Sequence, residues 1–191
     1  MSKPWLQSYP EGVPAEISIE EYASVADIFD QSVCKFEDLP AYSNFGKIIT
    51  YKEVKQFTSQ LGAYLKHELG LAKGTRVAVM MPNLLQNPVA LFGILRAGMV
   101  VVNTNPLYTA RELKHQMNDS GAEAIIIVEN FCHVLEEVIE DTPVKHVIVT
   151  RMGDMLPFPK SAIVNFVVKR IKKMVPAYKL PGAVPFNKAL K

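Results

Sequence analysis

The sequence predicts an α/β fold with a doubly wound, mainly parallel sheet, preceded by helices and a short hairpin. Four short runs rich in Val and Ile recur between residues 76 and 150. They are apolar on both faces, which is typical of parallel strands buried between helix layers. Helix start and stop residues separate consecutive runs. The order is therefore β-α-β-α-β-α-β, which right-handed crossovers wind into one sheet.

The chain divides into three predicted parts. Residues 1–23 are predicted to form an extended arm held by aromatic contacts, because prolines recur there beside Trp5 and Tyr9. Residues 24–150 are predicted to form the α/β unit, and residues 151–191 a basic amphipathic helix with a Pro-rich segment.

The α/β unit opens with a helix, a hairpin and a second helix. Ser24 is placed to cap the first helix, whose apolar residues recur at helical spacing and predict a core face: Val25, Ile28, Phe29, Val33 and Phe36. A turn at Asn44-Phe45-Gly46 predicts a hairpin over residues 41–50. The capping box of Thr50 and Glu53 then predicts a helix over residues 51–69.

The repeating part contains four strands and three helices. The predicted strands are Arg76–Met81, Met99–Asn103, Ala124–Val128 and His146–Thr150. Gly98 is placed to end the first helix, the capping box of Thr109 and Glu112 opens the second, and Phe131–Glu140 is the third.

After Thr150 the regular alternation is expected to stop, without a closing element. The charge changes at the same place: residues 1–150 carry a net charge of −6 and residues 151–191 a net charge of +8. Residues 151–191 are therefore expected to have a different partner, or none.

One helix, Ser161–Val175, dominates this basic segment. At 100° per residue its aliphatic side chains fall within an arc of about 140°, opposite most of its cations, and Phe166 lies on the charged side. Such a helix can lie in a membrane interface or pack its apolar face on the protein's own core. The sequence leaves both alternatives open.

Other patterns exclude several classes of site. The chain has no Gly-rich phosphate loop, and its four histidines lack metal-binding spacing. Its two cysteines cannot form a disulfide framework, which favours a reducing, cytoplasmic setting. Cys132 and His133 are adjacent on a predicted helix and point in different directions, so a packed thiol is favoured over a catalytic pair.

The segment Asn103–Tyr108 follows the carboxyl end of a predicted strand. Ligands bind at those ends in doubly wound sheets. The alternative is that Asn and Pro only shape the turn into the next helix.

Four segments resemble, in order and spacing, the early motifs of adenylate-forming acyl-CoA synthetases: Ile49–Val54, Arg76–Asn83, Leu91–Gly98 and Val102–Leu113. The Pro-Trp-Leu arm and the segment Val164–Lys169 narrow the likeness to the bacterial long-chain fatty acyl-CoA synthetases. The resemblance implies the amino-terminal part of a larger adenylate-forming domain.

By this resemblance, the full-length enzyme would join a long-chain fatty acid to ATP with Mg²⁺ and then transfer the acyl group to coenzyme A. The family's phosphate loop and catalytic lysine lie downstream, so no catalytic residue is assigned, and this piece alone is expected to be inactive with no cofactor bound. In relatives, the loop matching Asn103, Thr104 and Asn105 lies beside the coenzyme A channel.

The resemblance also implies that the enzyme acts at the inner face of the cytoplasmic membrane, as a peripheral protein. The residues expected to contact an anionic membrane are Ile163, Phe166, Val167, Lys169, Arg170, Lys172 and Lys173. Self-association, for example as a homodimer, is expected from uncovered apolar surface, and no nucleic-acid partner is expected. Two alternatives remain: a self-sufficient membrane-binding module, and a nucleotide-binding protein, which the missing Gly-rich loop disfavours.

Overall fold

The computed structural model describes residues 3–18 and 20–191. Its centre is a five-stranded parallel sheet with the strand order β4-β3-β5-β6-β7, and a separate antiparallel hairpin joins β1 to β2. The strands are β1 Pro40–Asn44, β2 Lys47–Thr50, β3 Arg76–Met80, β4 Val100–Asn103, β5 Ala124–Val128, β6 His146–Thr150 and β7 Val184–Pro185.

Seven α-helices lie in the described part of the chain. They are α1 Val25–Phe36, α2 Tyr51–Ala63, α3 Gln86–Arg96, α4 Ala110–Ser120, α5 Cys132–Glu136, α6 Lys160–Phe166 and α7 Phe186–Ala189. Single π-helical turns extend α2 over Tyr64–Glu68 and α6 over Val167–Ile171.

The sheet is covered on both faces, as the sequence predicts. All five residues of β5 are buried, and alternate side chains point into two different cores. Ile126 packs in the core that also contains residues of α2 and α3, whereas Ile125 packs in the core built with α4 and α5. Strands with apolar side chains on both faces need this double cover.

Local signals in the sequence match the observed helix ends. Ser24 Oγ accepts a hydrogen bond from the Asp27 amide, and Thr50 with Glu53 forms the predicted capping box. The hairpin turn uses positive φ at both Phe45 and Gly46. Such a turn matches the twist of the two strands, and positive φ strongly favours glycine.

Two expectations about the helices are wrong in detail. Val25 and Ile28 of the predicted α1 core face are 55% and 42% exposed, because only the side of α1 with Phe29 and Val33 meets the protein. The helix expected over Phe131–Glu140 breaks at Val138, which leaves helical geometry and is buried in the second core.

The arm and the tail also differ from expectation. Pro4–Ser8 forms a 3₁₀-helix, and Trp5 is 54% exposed rather than held by aromatic contacts. The tail does contain a closing element, because Val184–Pro185 pairs with β6 and the fully buried Phe186 fills part of the first core. The end of the chain therefore extends the sheet.

Candidate functional site

The carboxyl ends of the parallel strands form one edge, where doubly wound folds bind ligands. The loop after β4, the turn after β5 and the segment after β6 all lie on this edge, and α6 follows them in the chain. Two openings lie here. One is a cleft of about 440 Å³ beside α6, and the other is a groove of about 310 Å³ beside the loop after β4.

The loop after β4 contains the three residues expected beside coenzyme A. Asn103 ends the strand, and its carbonyl accepts a hydrogen bond from Gln116 at 3.0 Å. Thr104 is only 4% exposed, its amide donates to the Val79 carbonyl, and its hydroxyl donates to the Val102 carbonyl at 3.3 Å. Its side chain is therefore directed back to its own strand rather than outward.

Asn105 is exposed, and its side chain shapes the turn. Its Oδ1 accepts a hydrogen bond from the Leu107 amide at 3.0 Å, and its carbonyl accepts one from the Tyr108 amide. This is an Asx-turn, which directs the chain into α4. Pro106, Leu107 and Tyr108 then line one wall of the 310 Å³ groove.

The turn after β5 carries a buried charge that the sequence analysis did not single out. Glu129 is 3% exposed, and its Oε2 lies 3.2 Å from Lys169 Nζ. Breaking such a pair leaves an uncompensated buried charge, which is strongly destabilising. Lys169 is one of the residues expected at the membrane. Its side chain keeps 46% exposure.

The next residue, Asn130, is also buried and also contacts the basic segment. Its Nδ2 donates to the Met174 carbonyl at 2.9 Å, while its Oδ1 has no hydrogen-bond partner in the described residues. Glu129 and Asn130 together tie the end of the basic segment to the end of β5.

The amino-terminal half of the basic segment is tied to the segment after β6. The Gly153 amide donates to Asn165 Oδ1 at 2.8 Å, and Asn165 Nδ2 donates to Asp154 at 3.2 Å. Gly153 is needed for this approach, because a Cβ there would lie 2.7 Å from the Ser161 carbonyl oxygen.

Cys132 is a packed thiol. Burial, and to a lesser degree the nearby Glu129 carboxylate, raises the pKa of Cys132 to about 12. Burial also raises the pKa of Tyr178, whose hydroxyl lies beside this thiol, to about 12. Both groups are therefore neutral at physiological pH, which agrees with the interpretation of Cys132 and His133 as a structural pair of neighbours.

Residues 3–18 and 20–191 contain no group of three or more His, Cys, Asp or Glu side chains that could hold a metal ion. Within the same ranges no helix is long and apolar enough to cross a bilayer.

Comparison with known sequences identifies the family. The profile of the family described as AMP-binding enzyme matches residues 29–185, most of the chain. The chain belongs to the AMP-binding enzyme family. This agrees with the resemblance found in the motifs between Ile49 and Leu113.

The relatives extend the match to the whole chain. It is 58% identical over 190 residues to a long-chain-fatty-acid–CoA ligase of Escherichia coli O6:H1, and 36% identical over 161 residues to one of Bacillus subtilis. The chain spans about a third of the length of these curated relatives: 34% of the first and 28% of the second.

Solved structures confirm the fold. An anthranilate CoA ligase in complex with anthranoyl-AMP superposes with a TM-score of 0.70 at 19% identity, over 88% of this chain and 28% of that one. A long-chain-fatty-acid-CoA ligase from Archaeoglobus fulgidus superposes with a TM-score of 0.63 at 25% identity, over 82% of this chain and 32% of that one. The sheet and helices described above thus share the fold of a part of these two structures.

Proposed function

We propose that the chain is the amino-terminal part of an enzyme that activates long-chain fatty acids with ATP and transfers the acyl group to coenzyme A. The observation that carries this proposal is the 58% identity, across the entire chain, to a long-chain-fatty-acid–CoA ligase. The likeness to structures under 25% identical supports the fold alone, so the substrate class comes from the sequence relatives.

The proposal places the chemical step in other parts of the enzyme. The sequence has no Gly-rich phosphate loop, and the described ranges contain no cluster of acidic side chains fit to hold Mg²⁺. We therefore assign ATP and Mg²⁺ binding to parts of the enzyme outside this chain. What these residues supply is the framework on which the sheet edge is built.

The isolated chain is accordingly expected to form no acyl-CoA. Incubation of the 191-residue chain with ATP, Mg²⁺, coenzyme A and oleate measures this directly, with the E. coli relative as the positive control. Formation of oleoyl-CoA by the purified chain would contradict the assignment of the chemistry to other parts of the enzyme.

We further propose that the loop Asn103–Asn105 borders the path of coenzyme A. The loop lies at the carboxyl end of β4 and beside an open groove, which supports this role. Of the two loop residues that follow the strand, Thr104 is buried and Asn105 is exposed. Thr104 would act only through the backbone, since its side chain is directed to its own strand.

Replacement of Asn105 tests this role in the enzyme formed when this chain replaces the matching third of the E. coli ligase. Asn105→Ala removes the acceptor of the Asx-turn, whereas Asn105→Asp retains it. We expect Asn105→Ala to raise the KM for coenzyme A several-fold with the KM for ATP unchanged, and Asn105→Asp to retain most affinity. Equal effects on both KM values would argue against a coenzyme A path here.

We also propose that the enzyme works at the inner face of the cytoplasmic membrane, as a peripheral protein. The excess of cations in residues 151–191 supports attraction to anionic lipid.

Self-association is a separate proposal, supported by exposed apolar side chains such as Val100 on the edge strand β4. Sedimentation velocity tests it: a strictly monomeric chain at high concentration would contradict it.

A further inference from the structure

The groove of about 310 Å³ beside the loop after β4 contains two polar residues with unpaired atoms. Asn130 Oδ1 and His133 Nδ1 are both buried, and neither has a hydrogen-bond partner among residues 3–18 and 20–191. The two residues stand three positions apart, across the 3₁₀ turn after β5 and the start of α5, so they lie on one side of the chain. An unpaired buried polar atom costs free energy. A pair of them in one groove points to a ligand that supplies the missing partners.

The basic segment fixes the orientation of the Asn130 side chain. Its Nδ2 donates to the Met174 carbonyl at 2.9 Å, so the amide oxygen is the atom left for a ligand. Asn130 as a whole is only 5% exposed. The residue before Met174, Lys173, adopts the left-handed conformation with a φ of 52°, which favours glycine. Strained residues of this kind cluster at ligand sites, and Lys173 also lines the groove.

The unpaired atoms are complementary to a secondary amide. An amide N–H can donate to Asn130 Oδ1, and an amide carbonyl can accept from His133 Nδ1 when that nitrogen carries the proton. Cys132, which lies between the two in the sequence, packs in the second core, so the thiol lies away from this site. The other walls are mainly apolar and consist of Pro106, Leu107, Phe131, Val134, Met174 and Pro176. The groove therefore suits a flexible, uncharged chain that contains amides.

We infer that Asn130 and His133 bind an amide of the pantetheine arm of coenzyme A and thereby help to select this substrate. The inference deepens the proposed coenzyme A path and rests on it. Among the proposed substrates, a fatty acid has no N–H group, and ATP carries its hydrogen-bond donors on a highly charged nucleotide. Only coenzyme A contains a chain of methylene groups interrupted by amides. The described lining of the groove has one Lys and no Arg, which fits the arm better than a polyphosphate.

Nuclear magnetic resonance of the 191-residue chain tests the inference directly. Pantetheine, which lacks the nucleotide, should shift the side-chain signals of Asn130 and His133 with a Kd of about a millimolar, as expected for a ligand held by few contacts. The nucleotide 3′,5′-ADP, which is the other half of coenzyme A, should leave these signals in place. Shifts with 3′,5′-ADP alone, or no shift with pantetheine at about 10 mM, would overturn the inference.

His133→Phe separates a binding role from a structural one. Because it replaces an unpaired buried nitrogen by carbon, it should not lower the Tm, yet it should weaken pantetheine binding about fivefold, the effect of one hydrogen bond. His67→Phe is the matched control, since His67 is exposed in the π-helical turn after α2 and lines no part of this groove. Equal binding by these two variants would contradict a role of His133.

Two variants of Asn130 isolate its acceptor. Asn130→Asp and Asn130→Leu both lose the hydrogen bond to Met174, but only Asn130→Asp keeps an oxygen that can accept from an amide. Asn130→Asp should therefore bind pantetheine about fivefold more tightly than Asn130→Leu. Equal affinity of the two variants would mean that the oxygen does not contact the ligand.

The same variants in the chimera with the E. coli ligase decide between coenzyme A and a peptide of the enzyme itself. His133→Phe should raise the KM for coenzyme A about fivefold, with the KM values for ATP and oleate unchanged. If a peptide segment of the remaining enzyme fills the groove instead, His133→Phe would change the Tm of the chimera and leave the KM for coenzyme A unchanged. That result would overturn this inference alone, because the ligase proposal is measured by the formation of oleoyl-CoA.

Discussion

Phe186 provides a sharp test of the finding that the tail belongs to the fold. Its side chain is fully buried in the first core, directly after the two-residue strand β7. Replacement of a buried phenylalanine by alanine costs about 3–5 kcal/mol, through lost burial and the cavity that remains. For a chain of this size each kcal/mol lowers the Tm by about 2–4 °C, so Phe186→Ala should lower it by roughly 10 °C.

The assay is thermal unfolding followed by circular dichroism, with urea unfolding as a second measure. Phe158→Ala is the matched control, because Phe158 is 86% exposed and its loss should change stability by no more than about 0.5 kcal/mol. If the two variants unfold at the same temperature, or if Phe186→Ala costs less than about 1 kcal/mol, the tail does not complete the core as described.

Three further results are expected. Ellman's reagent at pH 8 should label the exposed Cys34 rapidly and the buried Cys132 only on unfolding. The reason is that burial raises the pKa of the Cys132 thiol to about 12. Equally fast labelling of both thiols would contradict the burial of Cys132. The Thr50 amide lowers the pKa of Glu53, so its contribution to stability is present above the unfolded pKa of about 4.3 and is lost as the pH falls through the folded pKa. The free energy of unfolding, measured with urea, should therefore fall less between about pH 5 and pH 3 in Glu53→Gln than in the wild type. An equal fall in both proteins would refute the contribution of Glu53. Gly153→Ala should raise hydrogen exchange throughout α6, because its Cβ would lie 2.7 Å from a carbonyl oxygen of that helix; exchange equal to wild type would mean that α6 accommodates the methyl group.

Much of the fold is predictable because its signals are local. Capping residues such as Ser24 and Thr109 form hydrogen bonds within the next three residues, and the observed helices begin there. The four repeating strands are likewise marked by their own composition, since β5 is apolar throughout. Their parallel arrangement follows from the helices between them.

What the sequence does not predict depends on distant contacts. Strand β7 has two residues, one of them a proline, and only its pairing with β6 reveals it. The exposed side of α1 depends on where α2 and α3 pack, so periodicity alone placed Val25 and Ile28 in the core.

In the candidate site, too, local features are predictable and long-range contacts are not. The place of the loop Asn103–Asn105 at a strand end was predictable, but the inward direction of the Thr104 side chain was not. The basic segment is held by long-range contacts, such as the pairing of Lys169 with Glu129, forty positions away in the chain. One signal was available: Glu129 directly follows an apolar strand, at the edge where side chains of neighbouring strands converge.

The central claim is that this chain forms the amino-terminal part of a long-chain fatty acid–CoA ligase. The most direct test is to replace the matching third of the E. coli O6:H1 ligase with residues 1–191, which are 58% identical to it, and to measure oleoyl-CoA formation from oleate, ATP and coenzyme A. The account predicts a folded chimera with a kcat/KM within about tenfold of the parent, equivalent to less than about 1.4 kcal/mol of lost transition-state stabilisation. A chimera that folds and binds ATP but forms no oleoyl-CoA would contradict the claim.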